Sequence, residues 1–212
     1  MDRNLGATQA ATSVTDHLAY GDLYQWGRNA DGHQKITWTS STTGNAVNGT
    51  TLTLANADQA TTPLFIRINT GNKDWRGATQ NDNLWQGVNG TNNPCPAGFR
   101  VPTITELNAE VTAYKTDDDS TAFADPLKFT LSGYRFNSNG TLAAMGSICY
   151  YWSSTVSGID ATDFDFEIGA PAVFNYAHNS DFRCVVSKTR ILVFFCDGSK
   201  SYHFLLPQSG KL

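Results

Sequence analysis

The helical pattern that follows Pro102 constrains the fold most, because it is the clearest one in a chain of 212 residues. Thr103 and Glu106 have the spacing of a capping box, in which each side chain accepts a hydrogen bond from the free backbone N–H of the other residue. Apolar residues then recur at helical spacing on one face: Ile104, Leu107, Val111 and Tyr114. The pattern predicts a single helix over 103–115.

Most of the remaining chain consists of short apolar runs between segments rich in Gly, Asn and Thr, which is typical of short strands and long loops. Around Phe164 and Phe166, apolar residues alternate with acids, which predicts a half-buried strand with both rings inward. Asn-Gly pairs at 48–49 and 139–140 predict hairpin turns, because both turn positions need positive φ. Further strands are expected at 127–131, 150–155 and 182–186.

The charge pattern and the short apolar runs argue against two kinds of partner, nucleic acid and the membrane interior. Charged residues make up only 16% of the chain, the formal net charge is −4, and no Lys/Arg block is present. Nucleic acid binding needs a clustered basic footprint, so we expect no nucleic acid partner. No apolar run is long enough to span a bilayer, so we expect no membrane insertion. The polar opening Met1-Asp2-Arg3-Asn4 does not resemble a signal peptide.

The sequence contains no recognisable catalytic or metal-binding motif. Its four histidines are scattered, and HExxH, G-x-S-x-G and phosphate-binding loops are absent. None of the four cysteines belongs to a CxxC pair, so we predict no metal site. Because the catalytic motifs are also absent, we predict no cofactor, no catalytic residue and no enzyme activity. Cys95 and Cys184 leave two alternatives open, a disulfide between distant segments or buried thiols.

Five segments, in order, resemble the Fibrobacter major paralogous domain family, and together they cover about residues 1–185. In that family a Trp commonly precedes the first motif, so the chain is expected to be part of a longer protein. The segments are Met1-Asp-Arg-Asn-Leu-Gly-Ala-Thr8, Leu23-Tyr-Gln-Trp-Gly-Arg28, Cys95-Pro-Ala-Gly-Phe-Arg-Val-Pro-Thr103, Tyr151-Trp-Ser-Ser-Thr155 and Phe182-Arg-Cys-Val185.

The resemblance implies an α+β, C-type-lectin-like fold of the formylglycine-generating-enzyme branch, with a twisted antiparallel sheet, one or two helices and long loops. Residues 1–185 would form this domain. Residues 186–212 extend past the usual family end and are expected to form a C-terminal β-hairpin packed on the same domain. The alternative for this tail is pairing with another protomer through an exposed edge, which would give an oligomer.

Some members of the family are variable proteins of diversity-generating retroelements, in which scattered codons near the end of the fold are rewritten. On that resemblance Ala161, Phe164, Phe166 and Val173 are scaffold residues. Most of the displayed residue types can arise from adenine-directed mutagenesis of Asn codons, although Glu167 cannot. The alternative is an ordinary surface strand and loop without diversification. The displayed, ligand-binding positions would be Ile159, Asp160, Thr162, Asp163, Asp165, Glu167, Phe174, Tyr176, His178 and Asn179.

The predicted display positions indicate where a ligand would bind and what kind of module the chain would be. By strand alternation Asp163, Asp165 and Glu167 would point outward together and form one continuous exposed patch with Phe174, Tyr176 and His178. The resemblance implies a receptor-binding or adhesion module at a cell surface, secreted or on a virion, with an unknown protein ligand. The alternative function is a non-variable carbohydrate-binding module. The calcium-binding sugar motifs of lectins and the cysteine pair of formylglycine-generating enzymes are both absent.

Overall fold

A computed structural model of the chain describes residues 3–68, 74–77, 80–114, 123–124, 127–168 and 173–175. Within these residues the architecture is α+β, with one α-helix, one short 3-10 helix and nine strands in small sheets. The elements in chain order are the 3-10 helix His17–Ala19, β1 Ile36–Ser40, β2 Thr43–Ala46, β3 Thr50–Thr51, β4 Phe65–Ile66, α1 Ile104–Tyr114, β5 Tyr134–Arg135, β6 Leu142–Ala143, β7 Ile148–Ser157, β8 Asp160–Glu167 and β9 Val173–Asn175.

Helix α1 confirms the predicted capping box. The Thr103 N–H donates to the Glu106 carboxylate at 2.8 Å, and the Glu106 N–H donates to Thr103 Oγ1 at 3.2 Å. Arg100 adds a bidentate pair to the same carboxylate, at 2.8 and 2.5 Å, and this hydrogen-bonded pairing holds the pKa of Glu106 below its ordinary value despite partial burial. The Ile104 N–H donates to Thr155 Oγ1 of β7, so the start of the helix is attached to the sheet.

The sheet β7–β8–β9 is antiparallel throughout, and its first two strands form the longest hairpin of the described chain. It confirms the strands predicted at 150–155 and around Phe164. A register shift between Trp152 and Val156 interrupts the β7–β8 pairing. The β5–β6 hairpin lies beside β7, with the Gly133 N–H donating to the Ile148 carbonyl, and it confirms the turn predicted at Asn139-Gly140.

Two strand predictions are wrong. Asn48-Gly49 does not join a hairpin, because β2 pairs with β1 while β3 leaves to pair in parallel with β4. Asn48 donates from its side chain to the Gly32 carbonyl and fixes this change of partner. Residues 127–131 form no strand, because their backbone is satisfied elsewhere. The Leu131 N–H donates to the Val14 carbonyl, and the Thr130 N–H donates to the Tyr151 hydroxyl.

The hydrophobic core joins loops from the N-terminal half to the β7–β8 hairpin. All five tryptophans of the chain donate their indole N–H to a backbone carbonyl of a distant segment. A buried indole therefore contributes both apolar area and a fixed polar contact. The pairs are Trp26 with Ser153, Trp38 with Gly21, Trp75 with Trp26, Trp85 with Arg28, and Trp152 with Tyr24.

Candidate ligand-binding surface

The register of the β7–β8 hairpin sorts the predicted site onto two faces. Directly opposed residues share a face, and successive residues of a strand point to opposite faces. Tyr151 lies opposite Phe164 on what we call the inner face. Three other pairs lie on the outer face: Trp152 with Asp163, Tyr150 with Asp165, and Ile148 with Glu167.

The inner face is anchored in the core. Phe164 is fully buried, as the sequence predicts, and its ring lies 5.2 Å from that of Phe129. Phe129 also contacts Tyr151 edge to face at 4.8 Å. The Tyr151 hydroxyl accepts the Thr130 N–H at 2.9 Å and donates to the Thr130 carbonyl at 3.1 Å. These contacts fix the backbone of both strands from one side only.

Exposure on the outer face increases along the hairpin. Trp152 is buried and its indole donates to the Tyr24 carbonyl, so a loop of the N-terminal half covers this end of the face. Asp163, opposite Trp152, is also fully buried. The prediction that Asp163 points to solvent with Asp165 and Glu167 is therefore wrong for Asp163. Asp165 is half-buried, and Glu167 is exposed.

Thr162 is also wrongly predicted as a displayed residue. Its side chain is fully buried at the point where the register shifts. Its Oγ1 lies 2.5 Å from Ser153 Oγ and donates to the Thr155 carbonyl at 3.0 Å. A strand irregularity leaves backbone groups without a ladder partner, and the Thr162 hydroxyl satisfies one of them.

The turn of the hairpin carries the remaining described site residues. Ile159 is 57% exposed and Asp160 is half-buried, next to Gly158, whose φ of 64° lies in the left-handed region. Glu167 follows Ile159 by eight positions along the chain, a span of roughly 26 Å in extended backbone. Because Thr162, Asp163 and Phe164 are buried between them, the single continuous patch expected over 159–179 is divided within the described residues into a tip and a base.

The last four predicted positions follow β8. The backbone of Phe174 pairs with that of Phe164 in the β8–β9 ladder. Tyr176, His178 and Asn179 lie outside the described residues, as does Cys184, so the aromatic half of the predicted patch and the disulfide alternative both stay predictions.

Three aromatic side chains that sequence reasoning missed lie beside the base of the hairpin. Tyr134 contacts Tyr150 at 5.5 Å and Phe136 at 5.1 Å, edge to face in both cases, and all three residues are partly exposed. Tyr150 lies directly opposite Asp165 on the outer face. The sequence does contain one indication of this arrangement, because Tyr134 and Phe136 are two residues apart and would share a face of an extended strand. We call the set Tyr134, Phe136, Tyr150, Asp165 and Glu167 the outer patch.

A buried His–Asp pair is the arrangement most similar to a catalytic one in the described chain. His33 Nδ1 lies 2.6 Å from Asp31, and His33 Nε2 accepts the Gln25 N–H at 3.0 Å. Burial lowers the pKa of His33 to about 4, against the opposing effect of Asp31, so the ring is neutral with its proton on Nδ1. Because a backbone amide already occupies the Nε2 lone pair, this pair holds a loop and is not placed to accept a proton from a substrate.

No described helix is long and apolar enough to cross a membrane. Among the same residues, no three His, Cys, Asp or Glu side chains are grouped so as to hold a metal ion. No protein-family model, curated protein or solved structure matches this chain.

Proposed function

We propose that the chain is a ligand-binding module of the C-type-lectin fold, which presents the β7–β8 hairpin to a protein ligand at a cell surface or on a virion. The observation that carries this proposal is the asymmetry of the hairpin. Its inner face is fixed by Phe164 and Tyr151, while Asp165 and Glu167 project from the opposite side at the base. Side chains held in this way can change without disturbing the backbone that presents them.

The packing of the motif segments supports the proposed fold. Trp26 and Tyr24 of the second segment are hydrogen-bonded to Ser153 and Trp152 of the fourth. The Ser154 N–H donates to the Pro102 carbonyl of the third segment at 2.7 Å. Segments far apart in sequence thus meet at one place, which is the behaviour expected of motifs that define a fold rather than of chance matches.

The N-terminal segment joins the same assembly. The Asn4 side-chain amide donates to the Ala19 and Tyr20 carbonyls and to Thr130 Oγ1, at 2.9, 3.0 and 3.1 Å. Asn4 is 1% exposed. A short buried amide suits this position, since no apolar residue can donate a hydrogen bond to those oxygens.

The proposal is tested with arrays of purified extracellular protein domains and of glycans, probed with the wild-type chain and with Glu167→Trp. The Trp variant places a bulky ring on the outer patch at an exposed position. We expect binding to at least one protein, insensitive to EDTA, and at least tenfold weaker for Glu167→Trp. The matched control is Leu18→Trp, at an exposed site near the 3-10 helix, which should leave binding unchanged.

Binding to glycans alone, lost on addition of EDTA, would replace this proposal with a calcium-dependent carbohydrate-binding module. Protein binding that Glu167→Trp leaves unchanged would exclude the outer patch as the binding surface. Diversification has a separate test in the flanking DNA, where a near-copy of codons 150–185 beside a reverse transcriptase gene is the expected finding.

A further inference from the structure

We propose that Asn89 is a site of spontaneous covalent modification, at which the folded protein converts the asparagine to aspartate and isoaspartate through a cyclic imide. Water is the only co-reactant that this conversion needs. The chain contains three Asn-Gly pairs, each followed by Thr, at 48–50, 89–91 and 139–141. Because the reacting residues are the same in all three, a difference between their rates has to come from the fold.

The reaction begins at the main-chain nitrogen of the glycine. This nitrogen bonds to the side-chain Cγ of the preceding asparagine, the Cγ–Nδ2 bond breaks, and ammonia leaves with the proton that the nitrogen gives up. Water then opens the imide at either carbonyl carbon, which gives aspartate or isoaspartate. Glycine favours the first step because it has no Cβ to hinder the approach. The asparagine side chain must be free to turn, and the glycine N–H must not be firmly hydrogen-bonded.

Asn89 meets both conditions. Its side chain is exposed and makes no hydrogen bond within the part of the chain that the structure describes. The Gly90 N–H donates to the Gly87 carbonyl at 3.4 Å, which is longer than an ordinary N–H···O hydrogen bond. The side chain of Asn89 can therefore reach the geometry of attack without opening the fold.

Asn48 is the closest comparison, because the sequence Val-Asn-Gly-Thr is identical at 47–50 and 88–91. The Asn48 side chain is half-buried, and its Nδ2 donates to the Gly32 carbonyl at 2.9 Å. The atom that would leave as ammonia is thus held by the fold. This hydrogen bond must break before the side chain can turn toward Gly49, so Asn48 should react more slowly than Asn89.

Asn139 is exposed like Asn89, but hydrogen bonds hold both of its reacting groups. Its Oδ1 accepts from the N–H and from the hydroxyl of Thr141, at 2.9 and 2.8 Å. The Gly140 N–H donates to the Phe136 carbonyl at 2.8 Å, so the attacking nitrogen is engaged as well. Exposure alone would rank Asn139 with Asn89, whereas hydrogen bonding ranks it below.

The modification changes both charge and backbone at this loop. A carboxylate replaces a neutral amide, so the net charge of −4 becomes more negative. Isoaspartate also lengthens the main chain beside Gly90, where even an added Cβ would lie 2.9 Å from the Leu84 carbonyl. Aged protein should therefore contain an acidic species that anion exchange separates from fresh protein.

The experiment is incubation of the full native chain in mildly alkaline heavy-oxygen water, followed by digestion in ordinary water and peptide mapping by mass spectrometry. The heavy oxygen enters Asn-derived residues when the imide opens, so it marks conversion during the incubation. We expect Asn89 to convert about fivefold faster, or more, than Asn48 and Asn139, because each of those must first break a hydrogen bond. In urea, which unfolds the chain, the rates at Asn48 and Asn89 should become equal.

Asn89→Gln is the control variant, because glutamine keeps the exposed amide but closes a larger ring far more slowly. The aged variant should lack the main acidic species of aged wild type. Equal native rates at Asn48 and Asn89, faster conversion at Asn139, or an unmodified Asn89 under conditions that convert the unfolded chain would each overturn the proposal. Rates at Asn48 and Asn89 that still differ in urea would show that the fold is not the cause.

Discussion

The N-terminal loops and the β7–β8 hairpin hold their backbones in different ways. In the loops, which we define as the described residues up to Val101, buried polar side chains bind the backbone directly. The Gln25 amide both donates to the Ile66 carbonyl at 2.8 Å and accepts the Ile66 N–H at 3.1 Å. In the hairpin, a backbone ladder makes most of these contacts. Side chains therefore hold the backbone in the loops, whereas the exposed Glu167 of the hairpin is not needed to hold it.

The largest expected effect tests the loop side of this comparison. Arg28 is fully buried and donates to Asp31, to Gln25 and to the Leu64 and Thr62 carbonyls. Arg28→Met should lower the free energy of unfolding by about 3–5 kcal/mol, because it leaves Asp31 Oδ2 and two carbonyls without the donor that Arg28 provides. Urea denaturation gives the value, and Arg28→Lys provides a milder variant if the first does not fold.

The matched control for Arg28 is Arg100→Met. Its ion pair with Glu106 is comparably short, at 2.5 Å, but its side chain is 27% exposed. We expect a loss of about 1 kcal/mol or less, since solvent replaces the pair. Equal losses for the two arginines would break the claim that buried polar contacts, not ion pairing as such, hold the loops.

Gln25→Met is the next test, and it removes a side-chain amide that binds both polar backbone groups of Ile66 and accepts a hydrogen bond from Arg28. It should cost about 2–4 kcal/mol, because the N–H and carbonyl of Ile66 both stay buried without their partner. Native-state hydrogen exchange should show faster exchange at Ile66, while the amides of β7 keep their protection. The control is Gln9→Met, because the Gln9 side-chain amide donates to Asp16 near the surface. This variant should lower the free energy of unfolding by less than about 1 kcal/mol. Protection lost equally in the loops and in β7 would mean that both regions open as one unit.

A pH test follows from Asp22, whose partly buried carboxylate lies against Gly6. Burial raises its pKa to about 6, although the Ile36 N–H and Lys35 oppose the shift. A raised folded pKa contributes stability below the unfolded value of 3.8 and loses it as the pH rises through about 6. Asp22→Asn should therefore gain about 1–2 kcal/mol over wild type between pH 4 and pH 7.5. Thermal unfolding at the two pH values measures this difference, and a constant difference would contradict it.

The stability contributed by His33 has the opposite pH dependence, so the stability of wild type alone does not isolate the effect of Asp22. Its pKa is lowered to about 4 by burial, so the stability it contributes is present above pH 6.5 and is lost as the pH falls toward 4. In wild type the two groups partly cancel. Comparing Asp22→Asn with wild type at each pH removes the His33 contribution, because that group is the same in both proteins.

The helix and the two strands of the long hairpin could be predicted from sequence, although their pairing was not, because the signals for each element are local. The capping box of Thr103 and Glu106 and the alternation around Phe164 each depend on residues within one element. The Asn48-Gly49 and 127–131 predictions failed because the partner of each segment is distant: β4 for Thr50, and the Tyr151 hydroxyl for Thr130. Sequence alone shows no signal for such contacts.

The site was only partly predictable for a related reason. Alternation placed Asp163, Asp165 and Glu167 on one face, and the register agrees with that. Alternation does not show how far along the strand that face is covered, and the loop carrying Tyr24 buries the end beside Trp152. The aromatic residues of the outer patch come from β7 and from a second hairpin, so no pattern within β8 could indicate them.

The smallest expected effect tests the hairpin side of the comparison. Glu167 and Ile159 are exposed, at the base and the tip of the hairpin, and their backbones are held by the ladder and the turn. Glu167→Gln and Ile159→Ser should each change the free energy of unfolding by less than about 0.5 kcal/mol. Thr162→Val, between them on the same strand, should cost about 1–3 kcal/mol, because Ser153 and the Thr155 carbonyl lose a buried partner. Urea unfolding of the three variants and of wild type measures these differences in the free energy of unfolding. If Glu167→Gln costs as much as Thr162→Val, the base of the hairpin is a structural element, and the outer patch is not free to serve a ligand.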